Sequence, residues 1–126
     1  MHEGIYRFGG MEKIKNPAGR ISDLVKSFPV EEKYRLTDQI IRSSRSIGNN
    51  IAEGHGRYHY ADSSKFLINA RGSAIETIDH LIIALDENYI DEETFNGFRN
   101  DCEECLKMIN GYISYLRNQS AEPKIN

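Results

Sequence analysis

A length of 126 residues and a mass of 14.4 kDa favour a single domain that can bury a core without disulfides. The mean hydropathy of −0.58 and the lack of any long apolar run exclude a membrane-spanning segment. The N-terminus does not have the order of a signal peptide, and two cysteines are too few for a disulfide framework. We therefore expect a cytoplasmic protein, and the formal net charge of −3 argues against a domain that binds nucleic acid through overall charge alone.

Charge is distributed unevenly along the chain. Residues 1–75 hold 12 Lys and Arg against 8 Asp and Glu, whereas residues 76–126 hold 4 against 11. Such a division predicts a polarised surface or charge pairing between subunits.

The first predicted helix follows an arm that contains several glycines. Residues 1–13 show no hydrophobic period, so we expect a flexible N-terminal arm. Asn16 and Pro17 supply an N-cap and a first-turn proline. Apolar residues then recur at helical spacing until Phe28, and Pro29 ends the helix.

The second predicted helix begins between residues 31 and 36 and has two opposite faces. The inward face consists of Leu36, Ile40, Ser44, Ile47 and Ile51, and the outward face of Arg35, Asp38, Arg42, Arg45 and Asn49. Small residues along this helix allow a neighbouring helix to approach closely, and Gly54 and Gly56 are favourable C-terminal stops.

Two longer helices complete the predicted fold. The third runs from about Tyr60 to Asp86 and has a wide apolar face, which indicates contact with more than one neighbour. Asp91 is the predicted N-cap of the fourth, and residues 118–126 are predicted to be a frayed tail. Because the connections are short, we predict one all-α domain over residues 1–126, an antiparallel up-and-down four-helix bundle.

Four sequence blocks resemble the four-helix-bundle family of 23S rRNA-intervening sequence proteins. The blocks are Asn50-Ile51-Ala52-Glu53-Gly54, Gly56-Arg57, Ala70-Arg71-Gly72-Ser73 and Glu76, and the resemblance covers roughly residues 17–117. One departure is Gly48-Asn49, where relatives often carry proline followed by a small residue.

The resemblance implies a bacterial protein that assembles as a homopentamer. Some members of the family are encoded inside inserts of large-subunit rRNA genes. A similar accessory protein of diversity-generating retroelements forms a basic barrel that works with a reverse transcriptase and nucleic acid. The resemblance therefore implies that the partners are other copies of the chain and RNA or a nucleic-acid-processing protein.

Arg71 falls on the apolar face of the third predicted helix, where a buried guanidinium needs a partner. We expect a polar network that locks the second helix to the third. Its predicted members are Asn50, Glu53, Arg57, Arg71 and Glu76. The alternative is that these residues contact a ligand or nucleic acid, since clustered charges also mark functional sites.

Clustered cations suggest where phosphates would bind. The candidates are Arg35, Arg42, Arg45, Arg57 and Lys65. The alternative is that these side chains only face solvent, because Asp38 interrupts the basic stripe of the second helix. Tyr58 and Tyr60 would either stack on bases beside these cations or fill a subunit interface, where tyrosine is enriched.

No catalytic or metal-binding pattern emerges from the sequence. Cys102 and Cys105 have the spacing of a redox motif, but both lie on the core stripe of the fourth helix, so we interpret them as core residues. We predict a non-enzymatic protein without a metal or other cofactor that self-assembles and binds RNA or a ribonucleoprotein. The alternative is a scaffold or adaptor that engages another protein and no nucleic acid.

Overall fold

The computed structural model describes the backbone of residues 5–6, 14–57 and 59–121 and the side chains of residues 16–57 and 59–119. Within these residues the elements are β1 (Ile5–Tyr6), β2 (Ile14–Lys15), α1 (Ala18–Leu24), 3-10 turns at Val25–Ser27 and Val30–Glu32, α2 (Leu36–His55), α3 (Tyr60–Asp86) and α4 (Glu92–Ala121). The fold is the predicted all-α antiparallel four-helix bundle, and α3 has the predicted bounds.

Side-chain caps define two of the helix starts. The Asn16 Oδ1 atom accepts a hydrogen bond from the Ala18 N–H at 3.0 Å, and the Asp91 Oδ1 atom accepts one from the Thr94 N–H at 2.8 Å. Hydrogen bonds from Thr94 lower the pKa of Asp91, because they favour the charged carboxylate. Both residues were predicted to cap a helix, although Pro17 occupies the N-cap position of α1 and Asn16 stands one residue before it. Each supplies an acceptor for an N–H group that has no partner within the helix.

The ends of the chain differ in part from the sequence-based expectations. β1 and β2 pair as a two-residue antiparallel ladder, which hydrophobic periodicity did not predict. At the other end α4 continues to Ala121, so the helix extends into the segment predicted to be frayed from residue 118. The rest of the predicted arm and tail, residues 1–4, 7–13 and 122–126, lies outside the described residues.

The core is arranged around α3, which packs against α2 on one side and α4 on the other. One apolar cluster joins these three helices, and a second includes α1 and closes the end of the bundle near Phe28 and Ile90. Arg20 on α1 forms an ion pair with Asp101 on α4 and lies over the Phe98 ring, 4.6 Å from its centroid. The short first helix is therefore attached to the bundle by apolar and charged contacts.

The interface between α2 and α3 is made by small and hydroxyl-bearing side chains. Ser43 and Thr77 share a buried hydrogen bond of 2.8 Å between their hydroxyl oxygens, and the Ser73 hydroxyl donates to the Ser46 Oγ atom at 2.8 Å. Pairs such as 43 with 77 and 46 with 73 show that the helices run in opposite directions. Hydrogen-bonded hydroxyls and close backbone approach therefore hold α2 on α3.

Cys102 and Cys105 are both fully buried in the core, as predicted. Burial raises the pKa of each thiol to about 12, because the charged thiolate would be desolvated. A protonated, inaccessible thiol is a poor nucleophile, so these residues pack as small apolar groups.

The buried thiols predict a loss of stability at high pH. Unfolded thiols ionise from about pH 8.5, whereas the native thiols stay protonated to about 12, so between these values the unfolded state binds fewer protons. The free energy of unfolding should therefore fall by up to about 1.4 kcal/mol per thiol for each pH unit. Urea titrations at pH 8, 9.5 and 10.5 measure this free energy of unfolding.

The control for this prediction is the variant Cys102→Ala/Cys105→Ala. Its stability should fall less steeply over the same pH range. Tyr89, whose pKa is also raised to about 12 because its hydroxyl donates to Glu32, contributes equally to both proteins. An identical pH dependence in the two proteins would contradict the assignment to the thiols.

Candidate nucleic-acid interface

An open groove runs between α2 and α3 on the outside of the bundle. Its centre is a hollow of about 370 Å³ lined by Gln39, Arg42, Ser43, Ser46 and Glu76. The floor of the groove is formed by the hydroxyl pairs that join the two helices. The hydroxyls of Ser43 and Ser46 are held in place there by hydrogen bonds with Thr77 and Ser73. The groove therefore presents fixed polar groups between a cationic and an anionic edge.

Three exposed arginines lie on or next to α2, and one of them, Arg42, lines this groove. Arg35 directly precedes α2, and Arg42 and Arg45 lie on its outer surface, all three being exposed. Arg42 is 3.6 Å from Asp38, and its side chain remains 79% exposed. Because residues three apart lie on neighbouring parts of one helix face, Arg42 and Arg45 share the outer surface of α2, and Arg35 precedes its first turn. We call these three exposed arginines the arginine row.

The other two predicted cations are placed differently. The Arg57 guanidinium donates to Glu53 at 2.7 Å and lies over the Phe66 ring, 4.6 Å from its centroid, so it is held within its own chain. Lys65 is exposed on α3, on the side of that helix away from its buried residues. Neither residue belongs to the arginine row, since Arg57 follows the C-terminal end of α2 and Lys65 lies on α3.

The predicted five-residue network between α2 and α3 is wrong. Among the described residues, Arg71 donates instead to Asn110 of α4 at 3.0 Å, and Glu53 pairs with Arg57, which follows the end of α2. The Asn50 amide donates back to Ser46, at 2.9 Å to the backbone oxygen and 3.0 Å to the hydroxyl. The serine and threonine hydroxyls described above join α2 to α3 in place of the network.

The physical reason lies in the length of the arginine side chain. Arg71 starts beside apolar residues of α3, but its aliphatic stem carries the guanidinium to the surface, where Asn110 accepts its hydrogen bond. Because this guanidinium lies at the surface, it does not need a buried carboxylate as a partner. Glu53 and Glu76 are accordingly both exposed. Sequence spacing gave no sign of Asn110, because it lies on another helix 39 positions away.

His80 is a residue whose placement the sequence did not predict. It is 8% exposed, and within the described part of the chain neither ring nitrogen has a hydrogen-bond partner. Its Nε2 atom is 3.4 Å from a carboxylate oxygen of Glu76, at the anionic edge of the groove. Elsewhere in the described residues, no group of three or more His, Cys, Asp and Glu side chains is placed to hold a metal ion.

Gln39, Ser43 and Ser46 also line the groove but were not predicted as site residues. The available signal was weak, since small residues on α2 indicated only close packing. Tyr60 is 45% exposed at the start of α3, and Tyr58 lies outside the described residues. No helix among the described residues is long and apolar enough to cross a bilayer.

Fold and groove together define a helical-bundle protein with an open polar groove that Arg42 and Glu76 line from opposite helices. The chain belongs to the 23S rRNA-intervening sequence protein family, whose model matches residues 11–111. This confirms the family predicted from the sequence blocks around Glu53 and Arg71.

Among solved structures, the chain is similar to a protein of unknown function from the S23 ribosomal protein family of Bacteroides thetaiotaomicron VPI-5482. The two are 34% identical, with a TM-score of 0.70, over 76% of this chain and 90% of the other. No curated protein matches the chain.

Proposed function

We propose that the chain is a non-enzymatic, cytoplasmic protein that self-assembles and binds RNA along the arginine row. The observation that carries this proposal is that Arg35, Arg42 and Arg45 are all exposed on or next to α2, where Arg42 lines an open polar groove. Guanidinium groups bind phosphate with paired, charge-assisted hydrogen bonds, and the hydroxyl and amide groups of the groove suit ribose and base edges.

Binding of RNA along the arginine row requires self-assembly, because the positive field of the row in one copy is modest. Asp38 beside Arg42 and Glu76 across the hollow offset part of the charge of the arginine row. Repeating the row around an assembly brings many weak contacts to one RNA molecule and raises the effective concentration of each. The family resemblance implies five copies.

A second candidate function is a scaffold that engages another protein and no nucleic acid. The observation that favours it is the group of exposed isoleucines on α3, an apolar surface that a protein partner would cover. The two functions differ in their dependence on the arginine row, which only RNA binding requires.

Recovery of the native complex tests the proposal. The tagged protein is purified from its own cells in about 50 mM salt, and bound RNA and proteins are identified by sequencing and mass spectrometry. We expect RNA that is released by raising the salt and is absent when Arg42→Glu/Arg45→Glu is purified in the same way. Recovery of a stoichiometric protein without RNA would instead support the scaffold.

A further inference from the structure

The outer side of α3 carries an apolar row that the bundle does not cover. Ile68, Ile75, Ile82 and Ile83 are between 41% and 49% exposed. The first three are seven residues apart, which places them along one line of the helix over about 21 Å. We call this row, together with Gly72 between its first two members, the α3 outer face.

Gly72 has no role within its own chain that requires glycine. It lies in the middle of α3, where a Cβ atom would meet nothing within 4 Å. Glycine weakens a helix interior relative to residues with a side chain, and here the bundle gains no close contact in return. A glycine in an apolar helix face allows another helix to approach closely, so this position indicates contact with something outside the chain.

Charge along the α3 outer face identifies the occupant as a second copy. Exposed Lys65 lies beside the first half of the face, and exposed Asp79 and Asp86 lie beside the second half. The basic half of one copy is therefore complementary to the acidic half of another. Because the halves are complementary and not identical, the contact pairs the first half of one copy with the second half of another.

We propose that copies of the chain associate through the α3 outer face, with the half that contains Lys65 and Gly72 packed on the half of a second copy that contains Ile75, Asp79 and Ile82. The inference rests on the self-assembly in the proposed function and names the surface that makes it. It leaves the arginine row on α2 outside the contact. The exposed isoleucines are then buried between copies.

A double-mutant cycle tests the charge pairing. Lys65 and Asp79 are 14 positions apart on one rigid helix, about 21 Å, so within a single copy their charges are screened from each other by salt. Lys65→Glu and Asp79→Lys should each weaken association about 10-fold. The double variant should recover most of the loss, because the new carboxylate of one copy would then face the new ammonium group of another.

A glycine pair tests the close approach independently. Gly72→Gln should weaken association about 100-fold, because its side chain would enter the contact. Gly97→Gln is the matched control, since Gly97 is an open position in α4 with polar neighbours, and it should change association less than about threefold. Both variants should keep the helix content of the wild-type protein.

Sedimentation velocity over a range of protein concentrations measures the association constant of the wild-type protein and of each variant. Wild-type association with the expected losses and recovery would support the proposed surface. If the wild-type protein associates, Gly72→Gln associates equally strongly and the effects of the two charge reversals are additive, the proposed contact surface is wrong. Self-assembly itself would still stand. A wild-type protein that stays monomeric at about 100 µM would overturn self-assembly itself.

Discussion

Replacing Gly54 with alanine should destabilise the bundle by about 2 kcal/mol, although alanine is the better helix former. An added Cβ atom would lie 3.0 Å from the Ser63 backbone oxygen and 3.2 Å from the Phe66 Cβ atom. Neither contact can be relieved by rotating a flexible side chain. Relief requires α2 and α3 to move apart where they pack most closely, and this loosens the core around Leu67.

Gly56→Ala is the matched control for this prediction. Its added Cβ atom would meet only backbone oxygens at 3.7 and 3.9 Å, which are ordinary contacts. We expect the control to remain within about 0.5 kcal/mol of the wild-type protein. Urea unfolding at one fixed protein concentration measures both, because the proposed association of copies would also stabilise the folded state. Equal stability of Gly54→Ala and Gly56→Ala would show that α2 and α3 do not approach as described.

Reversing two charges of the arginine row should reduce RNA affinity by about 100-fold at 50 mM salt. The double variant Arg42→Glu/Arg45→Glu removes two of the proposed phosphate contacts from each copy and adds two repulsive charges. Because both side chains are exposed, the fold and the association of copies should not change. Fluorescence anisotropy with a labelled single-stranded RNA measures the affinity, and circular dichroism checks the fold.

The matched control for the arginine row is Arg99→Glu/Lys107→Glu on α4. It changes the net charge equally, and each of its cations faces an acid much as Arg42 faces Asp38, Arg99 at 3.6 Å from Glu103 and Lys107 at 3.7 Å from Glu104. If RNA binding depended only on the overall charge, both double variants would lose the same affinity. We expect the control to lose less than about fivefold.

The helices could be predicted from the sequence because their periodicity is strong and their ends carry clear signals. α3 begins and ends at the predicted residues, and Asp91 caps α4 as predicted. The first helix was harder, because only a short segment precedes Pro29 and its last turn tightens into a 3-10 turn at Val25–Ser27. Hydrophobic periodicity therefore predicts the bounds of long helices well and those of a short helix less well.

The contacts of the candidate site were harder to predict, because they depend on how the helices cross. The helical wheel placed the arginine row on the outside of α2 correctly. It could not show that Glu76 of α3 lies across the hollow from Arg42, or that Arg71 would reach Asn110 on α4. Ser43 and Thr77 likewise have no sequence signature that marks them as partners. A single helix gives the direction of a side chain, whereas its partner belongs to another helix.

The salt dependence of RNA binding tests most directly whether the arginine row is a phosphate-binding surface. Titrations of the wild-type protein with one single-stranded RNA at 50, 100 and 200 mM salt give the slope of log affinity against log salt. Three phosphate contacts from one copy correspond to a slope of about −2, and an assembly that presents several rows should give a steeper one. Absence of binding at 50 mM salt, or an affinity independent of salt, would contradict the proposed function.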